Sequence, residues 1–136
     1  MIVVPVPSDL PVVRDLHAIH HPGYPHPEGK TLGAYINGRF VGYAIYKIEG
    51  PHLILVDTGV EPWAMGHGVG TALMQARIEI AGECGCEMVV GTTQPRNAPM
   101  LQILRRFGFS ECGVVPRAYA DGSDALIFAL YLKATK

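Results

Sequence analysis

"HLILVDTGVEPWAMGHGVGTALM", residues 52–74, passes from a β-rich run through three alternating glycines into a helical pattern. Its first nine residues have the apolar and β-branched content of a strand. Val69, Leu73, Ala76 and Ile80 then recur at helical spacing, and Gly82 or Gly85 marks the end of that helix. Gly66, Gly68 and Gly70 thus occupy a strand-to-helix turn. Such a turn directs backbone N–H groups and the positive end of a helix dipole at one place, which suits a phosphate. A turn that needs glycine only for its permissive dihedrals is the plainer reading. Two phosphate loops are excluded by spacing. A dinucleotide fingerprint needs a glycine where Thr71 stands, and a triphosphate loop needs a lysine, of which there is none between Lys47 and Lys133.

On the N-terminal side, "MIVVPVP" predicts a strand and "SDLPVVRDLHAIH" a helix, with Ser8 as N-cap and Pro11 in the first turn. Val12, Leu16 and Ile19, with Val13 beside them, form its expected buried stripe. "HHPGYPHPEGK" breaks all periodicity and reads as a loop. Two β-rich runs joined by Asn37-Gly38 predict a hairpin over residues 31–48. On the C-terminal side, "EMVVGTT" predicts a strand, Asn97 caps a helix with Pro99 in its first turn, and Met100, Leu104 and Phe107 line one side of it up to Gly108. "SECGVVPRAYA" and "DALIFALYLK" flank Asp121-Gly122, a second hairpin signal. The order β-α-β-β-β-α-β-α-β-β combines hairpins with crossovers. It predicts an α/β fold of the mixed α+β kind, a mostly antiparallel sheet of about seven strands flanked by helices.

The chain has 136 residues, 49% of them hydrophobic, and residues 1–136 read as a single domain. Eleven Lys and Arg against twelve Asp and Glu leave a net charge of −1, which gives no general attraction to nucleic acid or an anionic membrane. No run approaches the roughly 18 apolar residues that span a bilayer, and the N-terminus lacks the pattern of a signal peptide. Cys84, Cys86 and Cys112 fit neither a disulfide framework nor the usual zinc spacing. Reduced thiols in the cytoplasm are expected.

"GVEPWAMGHGVGTALM", followed by "VVGTTQPRNAPMLQILRRFGF", resembles the GNAT superfamily of acetyl-CoA-dependent N-acetyltransferases. The likeness lies in a V-x-P-x-x-R/Q-G-x-G-x-G/A motif at a strand-to-helix turn, then an Asn opening the next helix and a Gly-Phe closing it. It covers roughly residues 31–136, and the element order is that of the family. The resemblance implies that Met65, Gly66, His67, Gly68, Val69, Gly70 and Thr71 cradle the coenzyme A pyrophosphate through their backbone amides. It implies that Val60 aligns the pantetheine arm and offers its N–H to the thioester oxygen, and that Asn97 approaches the pantetheine or a bound water. Two positions depart from the pattern. Met65 stands where the family usually carries Arg or Gln, and Leu104 where many members carry a Tyr acid.

An amine nucleophile needs a base. Asp57 is the first candidate, on the strand face that the family turns to its substrate; Glu61 ranks second. A coenzyme A thiolate can leave with solvent protonation, and Tyr119 is the candidate substitute donor. Arg106, in a cluster with Arg96, Arg105 and Arg117, is a candidate for the adenosine phosphates. Tyr24 and His26 lie in the variable loop and are candidates to line the acceptor pocket. His17, His20, His21 and His26 raise a metal-binding alternative, with His17 and His21 one helical turn apart, but no third ligand motif is adjacent in sequence and no metal is expected. The expected activity is acetyl transfer to a primary amine of a small molecule or peptide; an acyl-CoA-binding protein with weak or no catalysis is the alternative. A homodimer is compatible with the sequence.

Overall fold

The computed structural model describes residues 1–132. Seven strands are interleaved with three α-helices: β1 Ile2–Val6, α1 Pro11–His20, β2 Lys30–Ile36, β3 Arg39–Glu49, β4 His52–Val60, α2 Val69–Glu83, β5 Met88–Thr93, α3 Ala98–Arg106, β6 Ser110–Val115 and β7 Ala125–Tyr131. A single 3-10 turn, Pro62–Ala64, separates β4 from the glycine loop. The strand order is β1-β2-β3-β4-β5-β7-β6. β4 and β5 pair in parallel, while β1–β2, β2–β3, β5–β7 and β6–β7 are antiparallel. The mixed, mostly antiparallel sheet expected from the sequence is present. The chain divides into two compact units, one of residues 1–47 and 56–77, the other of residues 48–55 and 78–132.

In the first unit, Asn37 and Gly38 both have positive φ, as a type I′ turn requires, and they join β2 to β3. Val13 and Leu16 of α1 pack with Tyr43 and Ile45 of β3, and Val6, Leu10, Phe40 and Val56 close around them. α1 differs from expectation at two points. Its N-cap is Leu10, with no side-chain bond, because Pro11 takes the first helical position and Ser8 lies in the preceding turn. Its buried residues are Val13, Leu16 and His17, whereas Val12 is exposed and Ile19 is 63% exposed. Periodicity counted His17 as polar. The fold turns it inward because a carboxylate on β4 waits there.

α2 buries Val69, Leu73 and Met74 and, among them, Arg77. Ala76 and Ile80 are only half-buried, so the expected apolar line is displaced toward an arginine. The Arg77 guanidinium donates to Thr58 Oγ1 at 2.8 Å and, at 3.4–3.5 Å, to the carbonyls of Leu73, Ile45 and Asp57. Burial lowers its pKa to about 10, so it remains a cation at neutral pH. It pins β3, β4 and α2 together from one face of β4.

In the second unit, Asn97 Oδ1 accepts from the Met100 amide and caps α3, as expected, and Leu104 and Phe109 are buried. β6 and β7 are joined by a longer connection than the two-residue turn expected at Asp121-Gly122. It is closed by Tyr119–Ser123 backbone bonds and by the Asp121 carboxylate, which accepts from Ser123, Gln94 and Arg96. Lys133, the end of the expected last strand, lies outside the described residues. Cys84, Cys86 and Cys112 are free thiols.

Arg77→Ala should leave the Thr58 hydroxyl and three carbonyls without their donor and open a cavity. A loss of about 2–4 kcal/mol is expected, read as a lower urea midpoint at unchanged slope.

Candidate functional site

β4 alternates its side chains, and the first unit uses both faces of its last five residues. Thr58 meets Arg77. Asp57, on the opposite face, meets α1 and β3. Tyr43 donates its hydroxyl to Asp57 Oδ2 at 2.6 Å, the Thr58 amide donates to Oδ1 at 2.8 Å, and His21 Nε2 donates to Oδ1 at 2.9 Å. His17 Nε2 stands 3.7 Å from Oδ2. Gly59 makes this possible: a Cβ there would overlap the Tyr43 ring, so only glycine lets the phenol reach past it to Asp57.

The carboxylate side chain is only 10% exposed. Burial pushes its pKa up, but the bonds from His21 and Tyr43 and the charge of the two histidines outweigh this and hold it below the ordinary value. Tyr43 is pushed far up, by burial and by the adjacent carboxylate, and stays a proton donor. His21 is raised above 6.5, chiefly by its bond to Asp57, and its side chain is 41% exposed. His17 is lowered, first by burial and then by the neighbouring histidines, against the pull of Asp57. Asp57 is therefore an anchored anion, and His21 is the group in contact with solvent that can change its charge.

The next helical residue reaches the end of the strand. His20 Nε2 donates to the Val60 carbonyl at 2.8 Å, and the Glu61 amide bonds the Val41 carbonyl. The C-terminal end of α1 thus holds Val60 through His20 and Asp57 through the C-cap residue His21. Tyr24 is half exposed with its ring 6.4 Å from that of His21. His26 packs edge-on against His17 at 5.2 Å and donates from Nε2 to the Ser8 carbonyl. The two loop residues named as candidates for the acceptor pocket therefore join the histidine group.

In the glycine loop, Gly66 and Gly68 have φ of 83° and 80°, values that side chains rarely adopt, so glycine is required by conformation. The Met65 and His67 amides donate to the carbonyls of Pro62 and Ala64, which removes them from the expected cradle. The amides left to meet an anion are those of Gly66, Gly68 and the first turn of α2, Val69 to Thr71, whose N–H groups have no intrahelical acceptor. The Met65 side chain is 53% exposed, and His67 is exposed as well.

The second unit carries the remaining candidates. The Asn97 side-chain oxygen is used as a cap, so its amide nitrogen is the group that could reach a ligand. Arg106 is exposed at the end of α3, and Arg96 is bound to Asp121. Tyr119 is half-buried in the connection between β6 and β7.

The Acetyltransferase (GNAT) family model matches residues 7–109. The chain belongs to the GNAT acetyltransferase family. It is an acyltransferase by that membership. It is 31% identical over 115 residues to an N-alpha-acetyltransferase of Sulfurisphaera tokodaii, a match covering 75% of this chain and 69% of that protein. Among solved structures, Ard1 from Thermoplasma volcanium superposes with a TM-score of 0.86 at 18% identity, covering 98% of each chain. A GNAT family acetyltransferase from Elizabethkingia anophelis with acetyl-CoA bound gives 0.85 at 15% identity, over 96% of this chain and 97% of that one. At these identities the structural likeness establishes the fold.

Four residues of the candidate site, His20, His21, Tyr43 and Arg77, are not legible in the sequence as partners of Asp57 and Val60. The spacing of His17 and His21 was visible, but nothing local in the sequence pairs α1 with β4.

The opposite shifts of His21 and His17 give a testable pH dependence. The folded state holds the His21 proton more tightly than the unfolded chain. That contribution is fully present below pH 6.5 and is lost as pH rises through the folded value. His17 acts in reverse, costing stability as pH falls from 6.5 through its lowered value. In chelator-treated protein, imidazole NMR should show His21 titrating above 6.5 and His17 below. Asp57→Asn should bring the His21 midpoint down; an unmoved midpoint would refute the pairing as its cause.

Proposed function

We propose that this acetyltransferase uses acetyl-CoA to acetylate a primary amine by direct attack on the thioester, with His21 as the base and Asp57 behind it. The observation that carries the assignment is the bond from His21 Nε2 to the Asp57 carboxylate. Because the carboxylate can only accept, the proton of neutral His21 sits on Nε2, and the lone pair is left on Nδ1. The half-exposed ring can take the amine proton there, directly or through water, as the N–C bond forms. Asp57 steadies the imidazolium that results, and Tyr43 and the Thr58 amide keep Asp57 in place. This differs from proton transfer to Asp57 itself, which already accepts three hydrogen bonds and whose lowered pKa makes it a weak base.

The Val60 N–H is assigned to the oxyanion of the tetrahedral intermediate. His20, bonded to the Val60 carbonyl, supports this by fixing the end of the strand. The amides of Gly66, Gly68 and Val69 to Thr71 would hold the pyrophosphate. Collapse of the intermediate releases the coenzyme A thiolate, a leaving group that solvent can protonate. Tyr119 is the alternative donor, and an unchanged kcat in Tyr119→Phe assigns the step to solvent. The acceptor is a small-molecule or peptide amine beside Tyr24 and His26. The name of the Sulfurisphaera relative makes a peptide α-amine the first to assay. Free thiols fit a reducing compartment such as the cytoplasm.

The second reading, a cofactor-binding protein with weak catalysis, is favoured by Met65 and Leu104 alone. Two measurements separate the readings. Acetyl-CoA at about 100 times its dissociation constant should stabilise the fold by roughly 2.7 kcal/mol, seen as a rise in Tm. His21→Gln should then keep that rise while kcat on an amine falls by about 10²–10⁴. A retained kcat would remove His21 from the role of base, and a rise in Tm without thiol release on any amine would favour the binding protein.

A further inference from the structure

We propose that His17, His21 and Asp57 also form a binding site for a divalent transition metal such as Zn²⁺, and that occupancy switches the transferase off. The three residues bring one imidazole nitrogen each and a carboxylate oxygen to within 4.8 Å of one another. His17 is in the last turn of α1 and His21 is its C-cap, whose amide bonds the His17 carbonyl, and the two rings lie 5.0 Å apart. Asp57 comes from β4, which makes the set a clamp between two elements and not a flexible surface cluster.

The distances fit a shared ion. Ligands about 2.0–2.2 Å from one tetrahedral zinc lie roughly 3.3–3.6 Å from each other. His21 Nε2 lies 2.9 Å from Oδ1 and His17 Nε2 3.7 Å from Oδ2, either side of that range and each on its own carboxylate oxygen, so the side chains close on one ion by a shift from positions already within 4.8 Å of one another. The 3.7 Å separation is too wide for a hydrogen bond, so His17 Nε2 and Oδ2 face each other without bonding. The outer partners are those a metal carboxylate needs: Tyr43 on Oδ2 and the Thr58 amide on Oδ1, which orient Asp57 and leave lone pairs toward the histidines. His26 adds an independent observation. Its Nε2 donates to Ser8, so Nδ1 carries the lone pair, and that atom is buried without a hydrogen-bond partner beside the His17 ring. An acceptor left unpaired in the same histidine group calls for a donor, and a metal-bound water supplies one.

Inhibition follows from the tautomer. To ligate through Nε2, His21 must give up the proton it shares with Asp57, and the neutral ring then carries its proton on Nδ1. The lone pair that would accept the amine proton is gone, and the imidazole is held by the metal. Binding rests on the geometry of the trio alone; only the loss of turnover rests on the role proposed above for His21.

The test uses the untagged full chain with Co²⁺ as a visible probe and Zn²⁺ as competitor. One equivalent of Co²⁺ should give the intense ligand-field bands of low-coordinate cobalt, and Zn²⁺ should abolish them. His21→Gln, whose side chain is partly exposed and should fold, and Asp57→Asn should lose the bands, while His52→Ala should keep them. Tyr43→Phe should weaken binding by about 10-fold or more. Absence of the bands in the wild type, or their survival in His21→Gln, overturns the site. Zn²⁺ should also suppress acetyl transfer, and chelator should restore it. If Zn²⁺ displaces Co²⁺ from the trio yet turnover is unaffected, the inhibitory switch is overturned together with His21 as base, while the site stands.

Discussion

Burying one carboxylate sets the arrangement of the first unit. An ionised side chain removed from water must find charge-assisted hydrogen bonds, or its solvation cost would exceed the stability of a small domain. Asp57 meets that demand with three donors from three elements, the Tyr43 hydroxyl, the Thr58 amide and His21. Each bond then constrains its own element. Tyr43 can reach Asp57 only over Gly59. His21 can reach it only if α1 is rotated so that His17 enters the core and Ile19 faces water.

The same strand is held from its other face by Arg77, a buried cation whose guanidinium bonds the Asp57 carbonyl and the Thr58 hydroxyl. Anion and cation lie on opposite sides of one β-strand, and the Asp57 charge favours the charged form of Arg77. A buried charge of either sign seldom adds net stability over a packed apolar side chain. What this pair provides is position. β4 ends at Val60, and both the Arg77 grip and the His20 bond to the Val60 carbonyl limit how that end can move.

The glycine loop divides its work between conformation and chemistry. Gly66 and Gly68 supply positive φ, and the first turn of α2 supplies amides that no helix can satisfy internally. Met65, at the position that departs from the family pattern, is 53% exposed. The amides of Met65 and His67 are spent within the turn, on the carbonyls of Pro62 and Ala64.

Local patterns in the sequence were enough for the strand-to-helix loop, the Asn37-Gly38 hairpin, the Asn97 cap and the order of elements, because each depends on residues a few positions apart. The family likeness rested on the same local spacing. The long connection after β6 was not legible, since it is closed by Asp121 reaching Gln94 and Arg96 far back in the chain. Nor was the site. Asp57 could be singled out as a carboxylate on the correct strand face, and His17 and His21 as a helical pair. Their meeting joins residues 36 positions apart, and it brings His17 into the buried face of α1 beside Val13 and Leu16 while Val12 and Ile19 face water. Spacing determined which residues could act; only tertiary packing decided which acid, imidazole and phenol meet, because the cost of a buried charge is settled by distant partners.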